Sequence, residues 1–170
     1  ASRAKTSPQT SKMQFPTGML NEDFYLLFHR LPQAGQVVIL PQQYYHVFYR
    51  TGSNSRKELK DRDYFPPVFT DIVNNADAVT EFVRAAYPAL VPFALRFGLV
   101  QRLDYLLHIP ISRMTEDNRF YRQVVHYIRG HLGEIISNPY LSRRDRTYLL
   151  LLAPAPKLVR TLHARKKGLL

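Results

Sequence analysis

Val37 to Arg50 reads VVILPQQYYHVFYR, and the fold class of this 170-residue chain turns on it. Val37, Val38 and Ile39 form a β-branched run closed by Pro41, and an aromatic run, YYHVFYR, follows. β-Branched and aromatic residues suit a pleated, half-buried surface, so both runs predict strands. Upstream, LNEDFYLLFHRL repeats Leu20, Phe24, Leu27, Phe28 and Leu31 at helical spacing, with Asn21 placed as N-cap and Pro32 as the stop. Downstream of the Gly52–Ser55 loop no comparable strand signal recurs. The expectation is an α+β, mainly α fold: a short strand pair on the N-terminal side, then a helical C-terminal subdomain.

The helical part reads as VFTDIVNNADAVTEFVRAAY, the Pro-punctuated ALVPFALRFGLVQRLDYLL, NRFYRQVVHYIRGHLGEII, RRDRTYLLLLA and KLVRTLHARKKG. In the third segment Phe120, Val124, Tyr127, Ile128, Leu132 and Ile135 make one apolar stripe. Asn138-Pro139 breaks it, and Ser142 is placed to cap the next helix. A strand pair of this size is not stable without packing against something. Either the helices cover it, or it belongs to a sheet whose other strands lie outside this chain. Residues 1–12 read as a polar, flexible lead-in, 13–56 as the strand-bearing unit and 57–170 as the helical unit.

With 45% hydrophobic, 12% aromatic and 22% charged residues, the composition fits one ordinary core and argues against wholesale disorder. Cysteine is absent, which removes disulfides and thiolate metal sites and suits a reducing, cytoplasmic setting. The start shows no apolar core of a signal peptide. The most apolar window, YPALVPFALRFGLVQRLDYLLHIP, is interrupted by Pro92, Arg96, Arg102 and Asp104, so it does not read as a membrane span. Of the net charge of +11, residues from Arg113 onward supply +8, as 12 Lys/Arg against 4 Asp/Glu. Such a surface attracts nucleic acid, anionic lipid or phosphorylated ligands.

With these residues in view, FPTGMLNEDFYLLFHRLPQAGQVVILPQQYYHVFYRTGS resembles the late catalytic segment of family-2 glycosyltransferases, the inverting nucleotide-sugar enzymes of GT-A fold. The resemblance rests on Phe15, Pro16, Gly18, Glu22 and Asp23, then Val38 to Pro41, then Tyr45, Arg50, Gly52 and Ser53. It covers about residues 13–56. It implies that Asp23 is the general base, with Glu22 beside it as neighbour or acceptor contact, and that Arg50, Gly52 and Ser53 lie on the donor-phosphate side. The residues alone leave alternatives open. Acids in the first turn of a helix also simply complement its dipole, and Gly52–Ser53 also fits an ordinary polar loop. His46 reads as a half-buried structural histidine or a cleft residue.

The same resemblance implies a nucleotide-sugar donor and a divalent cation, both bound by an N-terminal nucleotide-binding half. The Asp-x-Asp motif that would hold the cation is missing from the expected context, Asp61-Arg-Asp63 falling after the Gly-Ser loop among lysines. No metal site is expected in this chain. The chain then reads as the acceptor-side portion of a larger enzyme, inactive alone, whose acceptor is a glycan or a lipid-linked glycan. A second copy is a candidate partner for the exposed sheet edge. Eight basic residues against one acid between Arg143 and Lys167, flanking YLLLLAPAPKLV, suggest peripheral attachment to an anionic membrane surface at its cytoplasmic face. The alternative is a non-enzymatic basic helical module for nucleic acid or membrane. Its basic residues scatter over several faces without a reader motif, so nucleic acid is not the expected partner.

Overall fold

The computed structural model describes residues 22–44, 46, 48 and 64–168, with the Glu22 side chain excluded. Seven α-helices span Glu22–Arg30 (α1), Val68–Ala86 (α2), Val91–His108 (α3), Arg119–Gly130 (α4), Leu132–Ser137 (α5), Arg143–Leu152 (α6) and Pro156–Lys166 (α7). Short 3₁₀ turns follow α1 and precede α3 and α4.

Among the described residues there is no strand, which overturns the α+β expectation while leaving mainly α in place. Residues 36–40 run irregularly along the surface, and Ile39 is 90% exposed. The β-branched run has the right local preference, but a strand exists only by pairing, and no described segment supplies the ladder partner. Of the aromatic run, Tyr44, His46 and Phe48 are exposed and irregular, while Tyr45, Val47, Tyr49 and Arg50 lie outside the described residues. Among the described residues there is therefore no sheet edge.

The fold is organised around α3. A helix buried on most of its circumference belongs at the centre of a bundle. Leu99, Leu103, Tyr105, Leu106 and Leu107 are all buried, and α3 packs against α2, α4, α6 and α7. Pro88–Leu90 turns α2 into α3, and Pro92 occupies the first turn of α3, where its missing N–H costs no intrahelical bond. On α2, Val73, Ala76, Val79 and Val83 recur at helical spacing on the buried face. The main core joins these α3 leucines to Val73, Val124, Ile128, Ile135, Leu149 and Leu152.

The expected single helix after Asn118 breaks in two at His131, beyond Gly130. Its buried face carries Tyr121, Val124, Val125, Ile128 and Ile135, leaving Phe120 and Tyr127 partly buried and Leu132 exposed. Ser142 caps α6 as the sequence reading expected, and Asn118 caps α4 without having been read as a cap. Asn118 Oδ1 accepts the Tyr121 N–H at 3.1 Å, and Ser142 Oγ accepts that of Asp145 at 3.1 Å. Gly168, at φ 66°, closes α7 in the left-handed conformation that suits glycine.

Four arginines fasten elements together, Arg102 and Arg160 from buried positions, Arg146 half-buried and Arg129 exposed. Arg129 Nε donates to Ala153 O at 2.8 Å, and Arg160 Nε to Ile109 O at 3.0 Å. Arg146 donates to Ile135 O and Asn138 O at 3.1 and 2.7 Å. Arg102, on α3, forms the fourth such anchor, with Asp77. Each satisfies acceptors where a helix ends or two elements meet, a need that main-chain bonding leaves open.

Candidate functional site

The first candidate is the N-terminal turn of α1. Phe24 and Phe28, one turn apart, face the bundle: Phe24 stacks on Phe97 of α3 at 5.2 Å, and Phe28 meets Phe82 of α2 edge-on at 5.3 Å. Val79, Val83 and Ala94 complete this small second core. Leu27 and Leu31, expected on the apolar stripe, are exposed. The aromatic seating holds α1 on the bundle while Asp23 stays exposed, its Oδ1 accepting the Phe24 N–H at 2.7 Å. Asn21, the expected cap, lies outside the described residues.

The other expected site residues fare differently. Arg50, Gly52 and Ser53 lie outside the described residues, as does the Glu22 side chain. His46 is exposed, not half-buried as its aromatic neighbours suggested. Among the described residues no group of three His, Cys, Asp or Glu side chains is arranged to hold a metal ion.

A second candidate went unread in the sequence: a cleft of about 490 Å³ between α2 and α4, floored by α3. Arg102 rises into it from α3 and is 3% exposed. Its Nη2 reaches both Asp77 oxygens at 2.6 and 2.7 Å, and its Nη1 donates to Gly98 O at 3.2 Å. The guanidinium carbon stands 3.5 Å from the centre of the Tyr127 ring. The His131 ring stacks on Tyr127 at 3.9 Å and 13°. Two groups so close to one ring must occupy opposite faces, so Tyr127 is sandwiched.

Burial raises the Tyr127 phenol above its ordinary value, with Arg102 pulling it partly back, so it stays protonated as a donor. Gly98 makes this packing close: a Cβ there would stand 3.4 Å from Arg102 Nη1 and 3.9 Å from the Tyr127 hydroxyl. Asn74 and Gln123 extend the walls toward solvent with exposed amides. His126 and His131, five apart and so on different faces of an ideal helix, both line the cleft because α4 ends before His131. The one sequence signal for this site was Arg102 interrupting the most apolar window of the chain.

A third feature is the pair α6 and α7. Leu151, Leu158 and Leu162 are 53%, 60% and 56% exposed. Leu158 and Leu162 share one face of α7, which continues into the exposed Arg165 and Lys166. Among the described residues no helix is long and apolar enough to cross a membrane.

Comparison with protein-family models, with curated proteins and with solved structures finds no match.

Proposed function

We propose that the chain is the acceptor-side portion of an inverting, nucleotide-sugar-dependent glycosyltransferase in which Asp23 is the general base. The observation that carries the reading is an ionisable, solvent-open carboxylate at the start of a helix seated on the bundle by Phe24 and Phe28. A base has to be accessible to the acceptor hydroxyl and held in place as it takes the proton. As the acceptor oxygen attacks the anomeric carbon, its proton passes to Asp23. The bond from that carbon to the diphosphate breaks, the nucleoside diphosphate leaves, and the new glycosidic bond has inverted configuration. Glu22 is the neighbouring acceptor contact, and Arg50 with the Gly52-Ser53 main chain lies toward the leaving diphosphate. No step is routed through a metal held by this chain.

The nucleotide-binding half is the proposed partner, and Val37 to Leu40 support it. These four apolar residues are each at least 58% exposed and contiguous, a surface that calls for a cover. The acceptor class is a glycan or lipid-linked glycan. Peripheral attachment to an anionic membrane belongs to the same reading, supported by exposed Leu158 and Leu162 running into Arg165 and Lys166. A nucleic-acid module is weaker, since Arg102, Arg129, Arg146 and Arg160 are engaged by protein groups.

Two experiments test the reading. The coding sequence upstream of Ala1 should specify a Rossmann-like unit with an acidic metal motif; an unrelated domain there would count against it. With that unit joined, Asp23→Asn should abolish sugar transfer and leave donor binding intact.

A further inference from the structure

We infer that the cleft between α2 and α4 is a binding site for a neutral oligosaccharide, holding sugars of the acceptor remote from the hydroxyl that reacts. The assignment of those sugars to an acceptor rests on the glycosyltransferase reading; the ligand class rests on the cleft itself.

The lining excludes other ligand classes in turn. Arg102 is the only Lys or Arg in the lining, and both Asp77 oxygens already neutralise it. A phosphate or carboxylate entering the cleft would find no uncommitted lysine or arginine in the lining and would meet the Asp77 carboxylate. A cation would have to compete with the guanidinium for that carboxylate. Tyr127 offers no face to a nucleobase, having Arg102 on one side and His131 on the other, which leaves Phe120 as the partly buried ring of the lining. An apolar ligand would strip water from the Asn74 and Gln123 amides and from His126 without replacing their hydrogen bonds.

A polyol meets each of these conditions. Every hydroxyl both donates and accepts, and so do the primary amides of Asn74 and Gln123; the His126 imidazole does one with each nitrogen. All three side chains are exposed at the walls, where an entering sugar reaches them first. Between them the partly buried Phe120 offers apolar surface for the C–H face of a sugar ring, while Val73 and Val124, each 1% exposed, belong to the core behind it. The volume of about 490 Å³ falls within the range of small-molecule sites, about 300–1,000 Å³, and exceeds what one sugar ring fills.

The test uses the whole 170-residue chain and saturation-transfer NMR. The probes are maltotriose, a mannotriose, a galactotriose and chitotriose, with inorganic phosphate and AMP alongside. At least one trisaccharide should bind at millimolar concentration or tighter. Gln123→Ala with His126→Ala, both exposed and so expected to fold, should weaken it by about tenfold or more. Binding by none of the trisaccharides, binding of phosphate or AMP alone, or affinity indifferent to the Gln123/His126 changes would overturn the inference. Failure here alongside loss of transfer in Asp23→Asn would remove the cleft and keep the enzyme. Trisaccharide binding alongside undiminished transfer would do the reverse.

Discussion

Deleting Asp77 is expected to harm the fold more than deleting the arginine that it pairs with. Arg102 is 3% exposed, whereas the Asp77 side chain retains 47%. Removing one partner of a fully buried pair costs about 3–5 kcal/mol, because an uncompensated charge stays behind. Water reaches the Asp77 side of this pair, so Asp77→Ala is expected to cost roughly half of that, about 2 kcal/mol. Arg102→Met leaves the opposite remnant, a carboxylate that faces solvent. It also removes a buried Nε that has no acceptor and fills the volume with an apolar chain. What it loses is mainly the contact over Tyr127, worth about 1 kcal/mol. The double variant should be no worse than Arg102→Met alone, since Asp77 then has nothing to neutralise. Urea unfolding followed by far-UV circular dichroism measures all four corners of the cycle. At about 2–4 °C per kcal/mol, Asp77→Ala should lower Tm by about 4–8 °C. A larger loss from Arg102→Met than from Asp77→Ala, or simple additivity in the double variant, would refute the reasoning.

Three further outcomes are expected. Gly98→Ala should be neutral or stabilising by up to about 1 kcal/mol in the same unfolding assay, because its Cβ meets nothing closer than 3.4 Å and alanine favours a helix interior; a loss of more than this would mean that the Arg102–Tyr127 packing has no slack. His163 is held below its ordinary value of 6.5, by burial first and then by Arg160 and Lys167, so folding stability should be full above about 6.5, decline as pH falls below it and level off beneath the depressed folded value. Tm measured against pH should show a smaller acid-side decline in His163→Gln than in the parent, and equal declines would contradict the assignment. Vesicles containing phosphatidylglycerol should carry the chain upward in a flotation gradient at low salt and release it at high salt, with Leu158→Ser and Leu162→Ser reducing the floated fraction; equal flotation with neutral vesicles, or none, would remove the membrane from the account.

Helices and their ends were legible because their causes are local. Ser142 caps through its own side chain, and Pro32 and Pro139 stop helices by sterics within a few residues. The strand expectation failed because its cause is not local. VVIL has the composition of a strand, but an extended segment becomes one only beside another, and among the described residues its neighbours are helical. The cleft was illegible for a related reason. Arg102 and Asp77 lie 25 positions apart, and only the antiparallel packing of α2 on α3 brings them together. The same distance problem hid the roles of Arg129 and Arg160, which composition counted as free positive charge. His131 escaped because treating residues 118–136 as one helix put it on a different face from His126. Asp23 was singled out by its place in a motif, and it is exposed at the start of a seated helix.

The central claim is that Asp23 takes the acceptor proton, and its most direct measurement is the transfer rate of the enzyme completed with its nucleotide-binding half. Asp23→Asn keeps the size and polarity of the side chain and removes its basicity. The account predicts a fall in transfer of about 10²–10⁴-fold with nucleotide-sugar affinity unchanged. Transfer within a few-fold of the parent enzyme would contradict it.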